Sequence, residues 1–199
     1  MNLKKVLDKF DDTDIKLGTS RSLNFFQAEV KNLKRISRQE FFRPQGIGEP
    51  KPKLFTRPTP GKIYFFNYDP KWKKDLPFYD RWPLVLVLET RGRRGFLGMN
   101  FHYLPPGFRA DLFKRLLPTV SDKEFGDSAR IGMDYTKIKR LRLGPPLFKE
   151  YLNPHLRSKL RLVKPKEWEA MLFMPIHQFM KVSDKAVWGN SLRMLSGRK

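Results

Sequence analysis

Residues 60–106 read PGKIYFFNYDPKWKKDLPFYDRWPLVLVLETRGRRGFLGMNFHYLPP. From Lys62 to Tyr68 the chain alternates, with Ile63, Phe65 and Asn67 on one side and Tyr64, Phe66 and Tyr68 on the other. A period of two is the mark of a strand. Leu84 to Leu88 is an unbroken Leu/Val run, too short to span a bilayer and of the right length for a strand buried on both faces. Arg91-Gly92-Arg93-Arg94-Gly95 then turns the chain. From Phe96 to Leu104, Leu97, Met99, Phe101 and Tyr103 alternate with Gly98, Asn100 and His102. The stretch predicts a β-hairpin with a basic, glycine-containing tip and an earlier strand packed beside it.

Outward from this core the pattern turns helical. Leu3, Val6, Leu7 and Phe10 share one face of a short amphipathic helix ending near Asp11-Asp12. Asp12 to Arg21 reads as a loop. Ser22 is placed to cap a second helix with Leu23, Phe26, Val30 and Leu33 on its apolar face. Lys31, Lys34, Arg35 and Arg38 lie largely opposite, either along phosphates or simply in solvent. Arg43 to Pro60, RPQGIGEPKPKLFTRPTP, has too many prolines and glycines for a helix or a central strand. It reads as an extended arm or tether carrying Lys51, Lys53 and Arg57.

Beyond the core, Pro105-Pro106-Gly107 ends the strand and a helical stripe follows from Phe108 to Leu117. Ser121-Asp122-Lys123-Glu124 fits a capping box. Residues 137–143 and 158–163 read as two further basic strands. Pro165 suits the first turn of a helix over Lys166 to Met174, and Ser183 caps a last helix containing Val187, Trp188, Leu192 and Leu195. The strand candidates are thus 62–68, 83–89, 96–104, 137–143 and 158–163. They predict an α+β fold: a small SH3-like β-barrel with flanking helices and an extended N-terminal Pro-rich arm. The implied division is 1–59 for the N-terminal helices and arm, 60–165 for the barrel with a helical insert, and 166–199 for the C-terminal helices.

The chain has 199 residues, 40% of them hydrophobic and 14% aromatic, enough to build a core. Its 41 Lys and Arg against 20 Asp and Glu leave a net charge of +21. Such an excess repels itself in a compact state unless a polyanion faces it, and nucleic acid is the first candidate. An anionic membrane surface or an acidic protein neighbour is the other. With no cysteine there is neither a disulfide nor a thiolate metal site. Met1-Asn2-Leu3-Lys4-Lys5 is not followed by an apolar run, so no secretory signal is expected, and no segment is apolar enough to cross a bilayer. The expected setting is a cytosol-like compartment or a particle assembled there.

Catalytic motifs are missing from the sequence. His102, His155 and His177 lack metal-ligand spacing, and His102 is expected on the sheet surface with the others in loops. There is no phosphate-cradling glycine loop and no nucleophile elbow. The one enzymatic candidate is a Mg²⁺ nuclease using Asp69, Asp75, Asp80 or Glu89. Glu89 is followed by Thr90-Arg91 and not by the lysine spacing of restriction-type nucleases, and Asp69-Pro70 and Tyr79-Asp80 read better as turns. No catalytic, metal or cofactor site is therefore expected.

The basic–aromatic pattern is a binding signal. Trp72, Tyr79 and Trp82 alternate with Lys71, Lys73, Lys74 and Arg81. Aromatic faces can stack on exposed bases while the cations take phosphates, or the rings can close one end of the core. Arg91, Arg93 and Arg94 at the hairpin tip have no apolar role and are the first candidates for phosphate contact. Lys137, Lys139, Arg140 and Arg142, with Arg157, Lys159 and Arg161, form a second basic surface. No sequence-reading module is present, so binding is expected to be electrostatic. With roughly 6–10 phosphate contacts, affinity falls by about 10³–10⁵ between 50 and 200 mM salt.

Three of these segments carry a resemblance. Pro60-Gly61 with Tyr64, Phe66, Tyr68 and Pro70 fits a PG-x-x-Y-x-F-x-Y-x-P strand, and Leu76-Pro77, Tyr79-Asp80 and Pro83-Leu84-Val85 follow as L-P-x-Y-D-x-x-P-L-V. Gly98, Asn100, His102 through Pro106, and Arg109 then fit G-x-N-x-H-Y-L-P-P-x-x-R. Trp168 through Pro175, Phe179, Lys181 and Val187-Trp188 are also similar. The chain thereby resembles small virion proteins of large contractile-tailed bacteriophages, of the DNA-end-protector type, over about half its length; the first 55 residues show no likeness. The resemblance implies a virion protein that binds double-stranded DNA at genome ends and shields them from exonuclease, and it supplies no catalytic residue. The same motif is compatible with a neck, tail or baseplate component whose basic faces dock on acidic portal, neck, tail or baseplate neighbours. No membrane or small-molecule substrate is expected.

Overall fold

The structure is a computed structural model describing residues 3–31, 42, 52–132 and 146–197. The chain begins with helices α1 (Leu3–Asp11) and α2 (Ser20–Lys31). Strands β1 (Leu54–Phe55), β2 (Ile63–Phe65), β3 (Tyr79–Asp80), β4 (Leu84–Thr90) and β5 (Gly95–Asn100) follow, then helix α3 (Pro106–Leu116). The rest comprises β6 (Phe148–Leu152), β7 (Leu160–Val163), α4 (Trp168–Phe173), β8 (Phe179–Met180) and α5 (Asp184–Leu195). Six strands make one antiparallel sheet in the order β1–β7–β2–β4–β5–β6, and β3 pairs with β8 in a separate ribbon. The α+β class follows.

The central strands bury both faces, as their side-chain pattern requires. Ile63, Phe65, Leu84, Leu86, Leu88 and Met99 face a large core completed by Leu3, Val6 and Phe10 of α1, Phe26 of α2, Phe113 of α3 and Trp168 of α4. Tyr64, Phe66, Tyr68, Val85, Val87 and Phe96 face a smaller, aromatic core with Tyr151, Leu160 and Leu162. In a flat sheet β2 and β6, three strands apart, would lie about 14 Å from each other. Yet the Phe66 and Tyr151 rings stand 5.2 Å apart, and Tyr68 Oη accepts a hydrogen bond from Leu152 N at 3.1 Å. The sheet therefore curls strongly on its aromatic face. Among the described residues β1 and β6 remain edges and the sheet does not close, so the expected small SH3-like barrel is not seen there as a closed barrel. The expected strand at 137–143 lies outside the described residues.

Glycine permits the tight β5 contacts. A Cβ on Gly95 would lie 1.9 Å from the Tyr151 carbonyl oxygen, and one on Gly98 2.2 Å from Val85 Cγ1. Larger side chains there would separate β5 from β6 and β4.

Local chemistry explains where other expectations moved. Thr19, not Ser22, caps α2: its Oγ1 accepts from Ser22 N at 3.1 Å, while Ser22 is buried in the first turn. β5 stops at Asn100, four residues short of the expected Leu104. Asn100 Oδ1 accepts from His102 N at 3.0 Å and starts a 3₁₀ turn over Phe101–Tyr103. No helix starts at Ser121; Asp122 instead accepts from Glu124 N and Gly126 N, both at 3.0 Å, closing a local turn. Ser183 does cap α5, and Pro165 opens the 3₁₀ turn leading into α4. Strand β6 was not expected. Its alternation is masked because Lys149, a charged residue, takes a half-buried position on the same face as buried Tyr151.

Candidate nucleic-acid interface

The β4–β5 hairpin delivers the arginine tip. Arg91 N donates to Gly95 O at 2.8 Å and Arg94 N to Arg91 O at 3.2 Å, and Gly92 takes a left-handed φ of +57°. Asn153 ties the tip down through its Nδ2, which donates to the carbonyl of Arg93 at 3.2 Å. Two of the three arginines are already engaged. Arg91 Nη1 and Arg94 Nε converge on Glu150 of β6 at 3.7 and 3.2 Å, and Arg91 also approaches Glu89 at 3.9 Å. Arg93 has no carboxylate partner among the described residues. It lines a groove of about 790 Å³ together with Thr56, Arg57 and Pro58.

The loop between Tyr68 and β3 holds the lysine cluster, and its members differ. Lys73 is bound by Asp69 at 2.9 Å, which Arg157 also approaches at 3.6 Å. That pair holds the Asp69 carboxyl below its usual range, the Lys73 hydrogen bond leading. The Lys74 carbonyl accepts from Lys181 Nζ at 2.8 Å, fastening the loop to the segment after β8. Lys71 Nζ lies 4.6 Å over the Trp72 ring, and Trp72 is 60% exposed. Trp82 goes the other way, stacking 5.6 Å from Phe65 at the edge of the main core. The aromatic set thus divides: Trp82 and Phe78 pack inward, Tyr79 is half-buried in β3, and Trp72 faces solvent.

Lys137, Lys139, Arg140 and Arg142 lie outside the described residues. Of their proposed companions, Arg157 pairs with Asp69, while Arg161 is buried and bonded to Glu167 Oε1 at 2.8 Å. Arg161 therefore belongs to the interior and not to a basic surface.

Between the lysine-bearing loop and β6 opens a second cleft of about 360 Å³. Trp72 and Lys71 stand on one lip and Arg94 and Glu150 on the other, with Tyr103, Lys149 and Tyr151 deeper inside. The hairpin tip thus separates two concave surfaces, with Arg94 lining one and Arg93 the other.

Behind this cleft lies a buried polar network that periodicity did not reveal. Asp80 Oδ2 accepts from His102 Nδ1 at 2.7 Å and from Asn100 Nδ2 at 3.2 Å. Its Oδ1 accepts from Trp82 N at 3.0 Å and Gln178 N at 3.1 Å. Burial would raise the Asp80 pKa, but His102 and these backbone donors outweigh it and hold the carboxyl below its ordinary range. Burial in turn lowers His102, against the pull of Asp80, so the imidazole stays neutral. Fully buried Arg109 donates to Leu104 O at 2.6 Å, Leu172 O at 2.9 Å and His102 O at 3.3 Å. Burial lowers its pKa to about 10, with Asp80 and Asp184 pulling the other way, which leaves it charged at neutral pH. His177 bonds Asp184 at 2.8 Å, and its ring centre lies 5.3 Å from that of His102.

The expectation of His102 on the sheet surface is thereby corrected: it sits in the interior. Three of the four carboxylates considered for a nuclease have separate partners, Asp69 with Lys73, Asp80 with His102, and Glu89 near Arg91. Among the described residues no three His, Asp or Glu side chains gather as metal ligands. No helix among them is long and apolar enough to cross a membrane.

A curled antiparallel sheet flanked by helices, with cations lining two clefts and an exposed tryptophan beside one of them, defines a basic α+β protein. The family model for the phage T4 terminal DNA protecting protein matches residues 22–191, and the chain belongs to that family. The match begins within α2, well before the segments whose motifs were legible. No curated protein and no solved structure matches the chain.

Proposed function

We propose that this protein binds the ends of linear double-stranded DNA without reading sequence, and that covering them shields them from exonuclease. It acts as a non-enzymatic component of the phage particle, needing no cofactor, small-molecule substrate or membrane. The observation that carries this reading is the arginine tip standing between two clefts, with Arg57 and Arg93 both lining one and Lys71 and Lys149 lining the other beside Arg94. Family membership supports the choice of DNA ends as the polyanion. A net charge of +21 supports a mainly electrostatic contact. The test compares linear duplex with closed circular duplex across a salt series, and follows exonuclease digestion of the linear form. Tighter binding to linear DNA and slowed digestion are expected. Equal affinity for both forms removes the end-specific reading.

A second reading is favoured by strand β1, an edge of the sheet on which Leu54 and Phe55 are exposed. Here the protein is an adaptor docking on portal, neck, tail or baseplate subunits. Replacing Arg91, Arg93 and Arg94 together by Ala separates the two. Unchanged DNA affinity with failed particle assembly selects the adaptor.

A further inference from the structure

We propose that the cleft between the Tyr68–Tyr79 segment and β6 is a site for one terminal nucleotide, its phosphate held by Lys149 and its base stacked on Trp72. This deepens the DNA-end reading and rests on it.

Four observations converge. First, Lys149 lies half-buried in the cleft with its Nζ 4.3 Å over the Tyr103 ring, and no carboxylate pairs with it among the described residues. A cation held over an aromatic face and lacking a counter-charge is a receptor for an anion. Burial alone lowers its pKa to about 8, a cost that an incoming phosphate relieves. Secondly, the Asp80 carboxylate at the back wall does not compete for Lys149. Four donors from Trp82, Gln178, Asn100 and His102 already occupy it. Thirdly, Glu150, the carboxylate on the lip, is already engaged by Arg91 and Arg94. Fourthly, Trp72 is a large ring left 60% exposed at the mouth while Trp82, ten residues on, packs into the core. Its own neighbour Lys71 covers one face at 4.6 Å. Stacking on such a ring is indifferent to base identity, which suits an end binder without sequence preference. A closed or continuous duplex keeps its bases paired; a terminus frays, so only there is a nucleotide free to enter the cleft.

The experiment titrates the full-length protein with a thymidine dinucleotide carrying a 5′-phosphate, a 3′-phosphate or neither, reading tryptophan fluorescence. Whichever end carries the recognised phosphate, one phosphorylated form binds about tenfold or more tightly than the unphosphorylated one. Lys149→Met abolishes that difference and Lys149→Arg keeps part of it. Trp72→Ala weakens all three ligands about tenfold without moving the unfolding midpoint. Equal affinity for the three dinucleotides overturns the site, as does a phosphate preference that survives Lys149→Met. The two readings fail separately. Protection of linear duplex with no dinucleotide discrimination removes only the cleft; discrimination without protection of duplex ends removes only the shielding role.

Discussion

Two neighbouring regions use the same residue types to opposite ends. In the interior network, Asp80, His102 and Arg109 are fully buried, and Asp80 and Arg109 have their hydrogen-bonding groups occupied by named partners. At the neighbouring cleft Lys149 and Trp72, and in the groove beyond the hairpin tip Arg93, have no carboxylate partner or keep ring surface exposed among the described residues. A buried charge must be saturated at home or the fold fails; an interfacial one must be left wanting or nothing binds. The recognisable motif belongs mostly to the first region. Asp80, Asn100, His102 and Arg109 are motif residues that hold the sheet, the 3₁₀ turn and α4 together. Lys71, Trp72, Arg94 and Lys149, which face the cleft, lie outside it.

Breaking the interior should cost most. Arg109→Ala frees three backbone carbonyls and leaves Asp80 without its nearby cation, so urea unfolding should report a loss of about 3–5 kcal/mol. Arg109→Lys should restore little, because an ammonium does not reproduce the guanidinium fork. Gly95→Ala comes next: the new methyl meets the Tyr151 carbonyl and should destabilise by about 1–3 kcal/mol, with a lower thermal midpoint.

Acid titration sharpens the contrast. His102, ordinarily near 6.5, is lowered to about 4 in the fold, and His177 is lowered as well. Below pH 6.5 the unfolded chain takes up protons that the folded chain refuses, so stability must fall as pH drops from 6.5 towards 4. The slope should approach about 1.4 kcal/mol per pH unit for His102 alone, read from denaturant midpoints. His102→Gln should flatten it.

The smallest effect on the fold should come from the tip. Arg93→Ala should leave stability unchanged and reduce the salt slope of DNA binding by about one. Arg91→Ala and Arg94→Ala should do less singly, since Glu150 already holds both side chains. If the three single changes weaken binding equally, the distinction between engaged and available arginines is wrong.

Much of the fold was legible because its signals are local. The alternation at Lys62–Tyr68, the Leu84–Leu88 run and the Arg91–Gly95 turn each declare themselves within a few residues; the run and the turn are found, and the first segment is a shorter strand, Ile63–Phe65, than its alternation suggests. The site was legible in part. The loop cations and Trp72 were visible as a basic–aromatic pattern, but whether each ring faces core or solvent depends on what packs over it. Lys149 escaped notice because β6 shows no clean alternation and its partner across the cleft is more than 70 positions earlier.

The sequence by itself determined the cationic surplus, the hairpin with its arginine tip, the helical faces and the lack of any cysteine chemistry, since composition and short-range periodicity carry these. Only the tertiary structure decided that His102 and Arg161 are interior, that Glu150 claims two of the tip arginines, and that Lys149 stands beside Tyr103 with no counter-charge among the described residues. The reason is physical. Whether a charge is spent or available depends on neighbours brought from distant parts of the chain, and a curled sheet sets those neighbours by its strand order.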